Sequence, residues 1–333
     1  MAQRKFTVDA HIAERLRTDI VTEVLRAEQR IRPHVRETPL DYSASLSSLA
    51  RCHASVKLEN MQYTGSFKVR GALSKLLSLT PEQRAQGVVT ASSGNHGAGV
   101  AYGLRQLGVP GTVFVPEHAS ATKVEAIKQL GAHVRFYGED SALTEAFAQE
   151  YASSQGMIYI SPYNDPQVIG GQGTIAVELS RQIERVDTIF VALGGGGLIS
   201  GIAAYLKTLS DRVRVIGCSP QNSPVMIESL KAQHIVEMQS LSTLSDGTAG
   251  GVEPGAITFP LCQQLVDDYV LVSEQEIKDA MRLFMETQHQ LIEGAAGVAL
   301  AAFLQQREQL QGQNVVIVIC GANISLETLK TIL

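Results

Sequence analysis

No cysteine of this chain has a partner in sequence. Cys52, Cys218, Cys262 and Cys320 stand far apart, without a CxxC pair or a Cys/His cluster at zinc spacing. That pattern argues against a disulfide framework or a structural zinc site, and for reduced thiols. Basic residues are also in short supply: 28 Lys and Arg against 33 Asp and Glu leave a net charge of −5, with no basic stripe. Nucleic acid and anionic membrane are therefore poor candidates for the main partner. The N-terminus is charged from Arg4 onward and lacks the apolar core of a signal peptide, so a cytoplasmic protein is expected. A membrane span is missing too. Residues 186–206 carry a single charge, Asp187, but four consecutive glycines would leave a helix weakly specified there. The stretch reads instead as a buried strand, a loop and a helix. No low-complexity linker divides the chain.

What is present can bury two cores: 333 residues, 44% of them hydrophobic. Short apolar runs at 54–58, 88–91, 111–115, 132–137, 157–160, 188–193, 214–217 and 314–320 read as strands. Helical periodicity marks 12–31, 69–77, 121–130 and 174–183. Strands alternating with helices of crossover length predict right-handed βαβ units, hence an α/β fold with parallel sheet. Between 222 and 260 the pattern breaks into loops and short helices, as in segments that pass over an active-site face.

Three motifs carry chemistry. In Thr64-Gly65-Ser66-Phe67-Lys68 a loop meets a helix, and Lys68 at that junction gains little as surface charge. Desolvation and the positive helix end both favour its neutral amine, the form that attacks a carbonyl. Alone, Lys68 reads more readily as a snorkelling lysine, and the two motifs that follow reverse that preference. Ser92-Ser93-Gly94-Asn95-His96-Gly97 offers N–H groups, two hydroxyls and an amide, a nest suited to a carboxylate and a phenolic oxygen, although a plain strand-to-helix turn also tolerates it. Gly194-Gly195-Gly196-Gly197 follows a strand and can close backbone N–H groups on a phosphate. A dinucleotide fits this loop poorly. The G-x-G-x-x-G spacing fails at Ser200, and the next strand ends at Gly217-Cys218-Ser219 without an acid for a ribose. Together the three motifs indicate a pyridoxal-phosphate enzyme.

The run from Glu59 through Gly65, Ser66, Phe67 and Lys68 to Arg70, Gly71 and Ala72 resembles the lysine motif of the serine/threonine dehydratases, which belong with serine racemases to fold type II of the pyridoxal-phosphate enzymes, the tryptophan synthase β-like group. Further matches are the Ser92–Gly97 motif, Gly170-Gly171-Gln172-Gly173-Thr174, the tetraglycine loop, Glu293-Gly294-Ala295-Ala296-Gly297 and Cys320-Gly321-Ala322-Asn323. The resemblance implies two parallel-sheet, three-layer αβα domains with the cofactor in the cleft between them. A large domain of residues 1–76 and 164–333 would flank a small one of 77–163, with no C-terminal regulatory domain expected. It implies that Lys68 bonds pyridoxal 5′-phosphate covalently and that Phe67 packs near the ring. Asn95 would contact the 3′-oxygen, Gly194, Gly195, Gly196, Gly197 and Leu198 the phosphate, and Cys320 the pyridine nitrogen. Ser92, Ser93, Asn95 and His96 would hold the substrate carboxylate, with Ser93 also catalytic.

The expected reaction is elimination of water from L-threonine or L-serine, giving a 2-oxo acid and ammonia, in a homodimer. Serine racemisation, dehydration of 3-hydroxyaspartate, and cofactor or amino-acid binding without turnover are the alternatives. The sequence departs from the pattern of related racemases and dehydratases at a divalent-cation site, where Ser219 and Val225 stand for a Glu and an Asp, so no divalent metal is expected and a monovalent ion or none is the alternative.

Overall fold

The computed structural model describes residues 10–333; the charged N-terminal stretch discussed above falls largely in residues 1–9, outside them. Among the described residues, the apolar runs become the strands β1 (Leu40–Tyr42), β2 (His53–Leu58), β3 (Val88–Ala91), β4 (Gly111–Val115), β5 (His133–Phe136), β6 (Ile158–Tyr159), β7 (Thr188–Ala192), β8 (Arg214–Pro220), β9 (Asp268–Val272) and β10 (Asn314–Ile319). They form a six-stranded sheet in the order β1-β2-β10-β7-β8-β9 and a four-stranded sheet in the order β5-β4-β3-β6. Every pairing is parallel except β1 with β2. Residues Val315, Val316, Ile317, Val318 and Ile319 are all fully buried, as a strand covered on both faces requires. The chain leaves the larger sheet after β2, builds the smaller one from β3 to β6, and returns at β7.

One helix starts well before its sequence signal. Pro166–Gln182 was expected only from residue 174, because Gly170, Gly171 and Gly173 weaken helix propensity. Asp165 overrides them: its side chain accepts hydrogen bonds from the backbone N–H groups of Gln167 and Val168, and Pro166 sits at the first helical position. The glycines serve packing. A Cβ on Gly171 would lie 2.6 Å from the Cα of Gly71, and one on Gly173 would lie 2.8 Å from the carbonyl oxygen of Gly201. Helix Pro166–Gln182 can thus touch helices Lys68–Ser78 and Gly197–Leu209 backbone to backbone.

The same junction holds a fully buried ionic cluster. Arg70 donates from Nε to Glu59 Oε2 (2.7 Å) and from Nη2 to Glu59 Oε1 (2.8 Å). It also donates from Nη1 to Glu178 Oε1 (2.7 Å) and from Nη2 to Glu178 Oε2 (2.9 Å). Lys57 Nζ donates to Glu178 Oε2 (2.6 Å), Gln182 Oε1 (2.9 Å) and the Thr38 carbonyl (2.7 Å). Burial pushes the Glu178 carboxyl up, but Arg70 and Lys57 outweigh it and hold the group down at about 2. Because side chains two apart leave a helix on different sides, Arg70 clamps the first turn from the core while Lys68 faces away from it.

Candidate active site

Four loops at the carboxyl ends of β2, β3, β7 and β10 converge on a cavity of about 1380 Å³, the usual place for a ligand in parallel α/β sheets. It lies between the two sheets. Lys68, Phe67, Ser92, Ser93, Asn95, His96, Gly194, Gly195, Gly196, Gly197, Leu198 and Cys320 all line it. Residues around Pro162 and Tyr163, and the segment from Asp246 to Glu253, complete the wall.

Lys68 is the first residue of its helix. Its Nζ donates to the Pro162 carbonyl (2.8 Å) and lies 5.4 Å from the centre of the Phe67 ring. Burial lowers its ammonium to about 8, and Cys320, Glu145 and Glu293 recover only part of the shift. About a tenth of this amine is therefore neutral at pH 7, far more than for an ordinary lysine.

In the glycine loop, Gly196 adopts φ +87°, a conformation that side chains disfavour. A Cβ on Gly194 would lie 2.9 Å from the Thr248 Cα, and one on Gly195 would lie 2.5 Å from the Tyr163 ring. Helix Gly197–Leu209 begins there with no side-chain cap and no acid in its first turn, leaving its N–H groups for an anion. Cys320 is buried, and desolvation holds its thiol well above the usual range, so the group is neutral. A neutralisable amine, an anion cradle and a neutral weak donor are what pyridoxal phosphate asks for at its aldehyde, phosphate and ring nitrogen; the residues present fit that group.

Two of the expected contacts look different in the structure. Asn95 is already engaged: its Nδ2 donates to both oxygens of Glu293 (2.8 and 2.9 Å) and its Oδ1 accepts from Asn323 Nδ2 (2.6 Å). Reaching a cofactor oxygen requires Asn95 to trade one of these bonds. The His96 ring is buried and bonded through Nε2 to the Ile160 carbonyl (3.1 Å). A carbonyl can only accept, so Nε2 carries the proton. Burial and the nearby Lys68 lower the ring to about 3, so it is neutral and Nδ1 is a lone pair without a partner. A carboxylate beside His96 finds its donor in the backbone N–H, not in the imidazole.

Sequence reasoning quoted the Glu293 motif but gave Glu293 itself no role. The residue caps helix Gly294–Gln306 by position, yet its side chain makes no capping bond and turns toward Asn95 and the Asn323 N–H (3.1 Å). Burial raises its carboxyl to about 7, against the pull of these donors. A Cβ on Gly321 would lie 2.5 Å from Glu293 Oε1, which explains the glycine after Cys320. The available signal was a Glu where a helix start favours Ser, Thr, Asp or Asn.

At the position where the resemblance points to a cation site, Ser219 is buried and its hydroxyl donates to the Leu193 carbonyl (2.6 Å), while Val225 is buried and apolar. Among the described residues no group of three His, Cys, Asp or Glu side chains could hold a metal. Neutral bonds tether this region instead: Ser223 Oγ lies 2.7 Å from Ser240 Oγ and accepts from the Gly250 N–H (3.2 Å). Among the described residues no helix is long and apolar enough to cross a membrane; the stretch 186–206 is β7 followed by a glycine loop and a helix.

Known proteins share this arrangement. The L-threonine ammonia-lyase of Thermotoga maritima is 38% identical over 93% of this chain and 77% of its own length. The processed threonine deaminase isoform 2 of Solanum lycopersicum superposes with a TM-score of 0.88 at 31% identity, covering 100% of this chain and 95% of that one. Maize serine racemase gives 0.88 at 33% identity, over 93% of this chain and 95% of its own. The family model described as pyridoxal-phosphate dependent enzyme matches residues 31–321, from the end of the first helix to the glycine beside Cys320. With Lys68, the glycine loop and Cys320 lining one cavity and the family model spanning residues 31–321, this chain belongs to the pyridoxal-phosphate dependent enzyme family.

Proposed function

We propose that the enzyme removes water from L-threonine or L-serine, giving a 2-oxo acid and ammonia, with Lys68 as both cofactor anchor and base. The carrying observation is the Lys68 amine, lowered to about 8 and placed on the cavity wall beside the glycine loop. Pyridoxal phosphate, when bound, supplies the electron sink that acidifies the Cα proton. Lys68, with its amine on the cavity wall, would take that proton at close range. Ser92 and Ser93, with the backbone N–H groups of Asn95 and His96 at the start of helix Asn95–Leu107, hold the substrate carboxylate. The hydroxide leaving Cβ takes a proton from a nearby donor, for which the Ser93 hydroxyl is the candidate. Gly194, Gly195, Gly196, Gly197 and Leu198 hold the phosphate, Phe67 flanks the ring, Cys320 meets its nitrogen, and Asn95 meets the 3′-oxygen. We assign residues 1–76 and 164–333 to a large unit and 77–163 to a small one, and read the enzyme as a cytoplasmic homodimer.

Purified enzyme given L-serine and L-threonine should form pyruvate and 2-oxobutanoate faster than it forms D-amino acid. The similarity to a serine racemase makes chiral analysis the deciding arm. D-serine in excess over pyruvate would reverse the assignment.

No divalent ion is needed in this reading. Ser219 and Val225 offer no carboxylate, and a divalent ion would lose most of its ligand charge there. Activity should survive a chelator with less than a twofold change. A large loss restored by magnesium or calcium would overturn the point.

A further inference from the structure

We infer that Asp246 sets the charge of the substrate side chain. By holding Lys123 it denies the cleft its second cation, and so restricts the site to amino acids with neutral side chains. The inference deepens the reading above and rests on it for the use of this cavity.

Among the described residues, two cationic side chains line the cavity, Lys68 and Lys123, against four acids, Glu145, Asp246, Glu253 and Glu293. The His96 ring is neutral. Lys68 is committed to the cofactor under the proposed function, which leaves Lys123 as the partner for a second substrate carboxylate. Lys123 is taken: its Nζ lies 2.6 Å from Asp246 Oδ2. The two residues come from opposite walls, Lys123 from helix Ala121–Gln129 beside the smaller sheet and Asp246 from the loop that meets the glycine run.

The backbone on either side of Asp246 is held in place, while the carboxylate itself is exposed at the cavity wall. Ser245 is fully buried, its Oγ lies 2.6 Å from Thr248 Oγ1, and the Thr248 N–H donates to the Ser245 carbonyl (3.0 Å). Thr248 in turn packs on Gly194, where a Cβ would lie 2.9 Å from its Cα. A carboxylate fixed on such a turn competes for Lys123 at a high effective concentration, which a diffusing substrate lacks. A substrate with a second carboxylate would also enter beside Glu145 and Glu253, whose charges face one another closely enough for Glu253 to add to the rise of the Glu145 carboxyl that burial begins. Specificity built this way rests on a repulsive element as much as on an attractive one. Hydroxyamino acids with uncharged side chains avoid the penalty, and 3-hydroxyaspartate meets it in full.

The test uses two ligands of nearly equal shape that differ in charge and carry no β-hydroxyl, L-asparagine and L-aspartate, in calorimetric titrations of the cofactor-loaded enzyme. The wild type should bind L-asparagine at least tenfold more tightly. Asp246→Asn should move the ratio at least tenfold toward L-aspartate, with Asp246→Ser as a second variant that changes the same charge. Adding Lys123→Met to Asp246→Asn should return the ratio. A ratio unmoved in both Asp246 variants, or a gain that persists without Lys123, overturns the inference. So does a wild type that binds both ligands equally. Turnover of L-serine and 3-hydroxyaspartate is measured in parallel. A wild type that eliminates water from neither, while the binding ratios move as stated, refutes the proposed reaction and leaves the role of Asp246 standing.

Discussion

Borohydride added to the cofactor-loaded enzyme is expected to fix the cofactor on Lys68 and on no other lysine, and Lys68→Ala is expected to lower turnover by at least about 10³-fold. Both follow from where the amine sits. Other lysines of the fold are engaged elsewhere: Lys57 lies in the buried ionic cluster, Lys75 pairs with Asp165 at 2.5 Å, and Lys207 pairs with Asp267 at 2.9 Å. Lys68 Nζ instead bonds one neutral carbonyl at the cavity wall. The nucleophile is the neutral amine, so capture of added cofactor by the apoenzyme should speed up as pH rises through about 8 and level off above it. Peptide mapping after reduction reads the first prediction, steady-state rates the second, and stopped-flow absorbance the third. An adduct on Lys123 or any other lysine would sink the assignment.

Glu178→Gln is expected to cost about 3–5 kcal/mol of stability, because breaking a buried pair leaves charges uncompensated. Lys57 and Arg70, both fully buried, share this carboxylate, and Arg32 reaches it at 2.6 Å from the rim. With the charge removed, Glu59 alone answers two buried cations. Equilibrium unfolding in urea, with Arg181→Ala as a surface control, measures the difference. The pH dependence has a fixed sign. A carboxyl held near 2 when folded and near 4.5 when unfolded stabilises fully above 4.5, and that contribution disappears as pH falls toward 2. The wild type should lose stability steeply across that window, and the variant less so. Equal stabilities at neutral pH would show that the cluster is energetically idle.

Sequence pattern reached some parts of this molecule and missed others for physical reasons. The strands Val88–Ala91 and Gly111–Val115 stood out because each is a short apolar run closed by a loop, and local pattern suffices there. Lys68, the Ser92–Gly97 loop and the glycine run were visible as contiguous motifs, and the fold brings them to one cavity. Helix Pro166–Gln182 was cut short because propensity counts three glycines against it, whereas tertiary packing needs them where two backbones touch. Glu293 stayed hidden because its environment is assembled from Asn95 and Asn323, far away in sequence. The same holds for Glu178, whose buried partners Arg70 and Lys57 lie far away in sequence. Lys123 and Asp246 are 123 positions apart, and no spacing rule could join them.

The polypeptide passes between the two sheets twice, once outward through the Lys68 helix and once on the way back through Pro162. One of the bonds that button these two passages together, from the Lys68 amine to the Pro162 carbonyl, lies at the cleft, while Lys75 with Asp165 and the Gly71 N–H with Gln172 Oε1 fasten them further along. An amine that forms a covalent bond to a cofactor can no longer serve as that button in the same way. Loading the enzyme would therefore give up one fastening of several, and the crossing would stay joined through Lys75, Gly71 and Arg70, so the anchor lysine can be spent on a cofactor without loosening the fold around it.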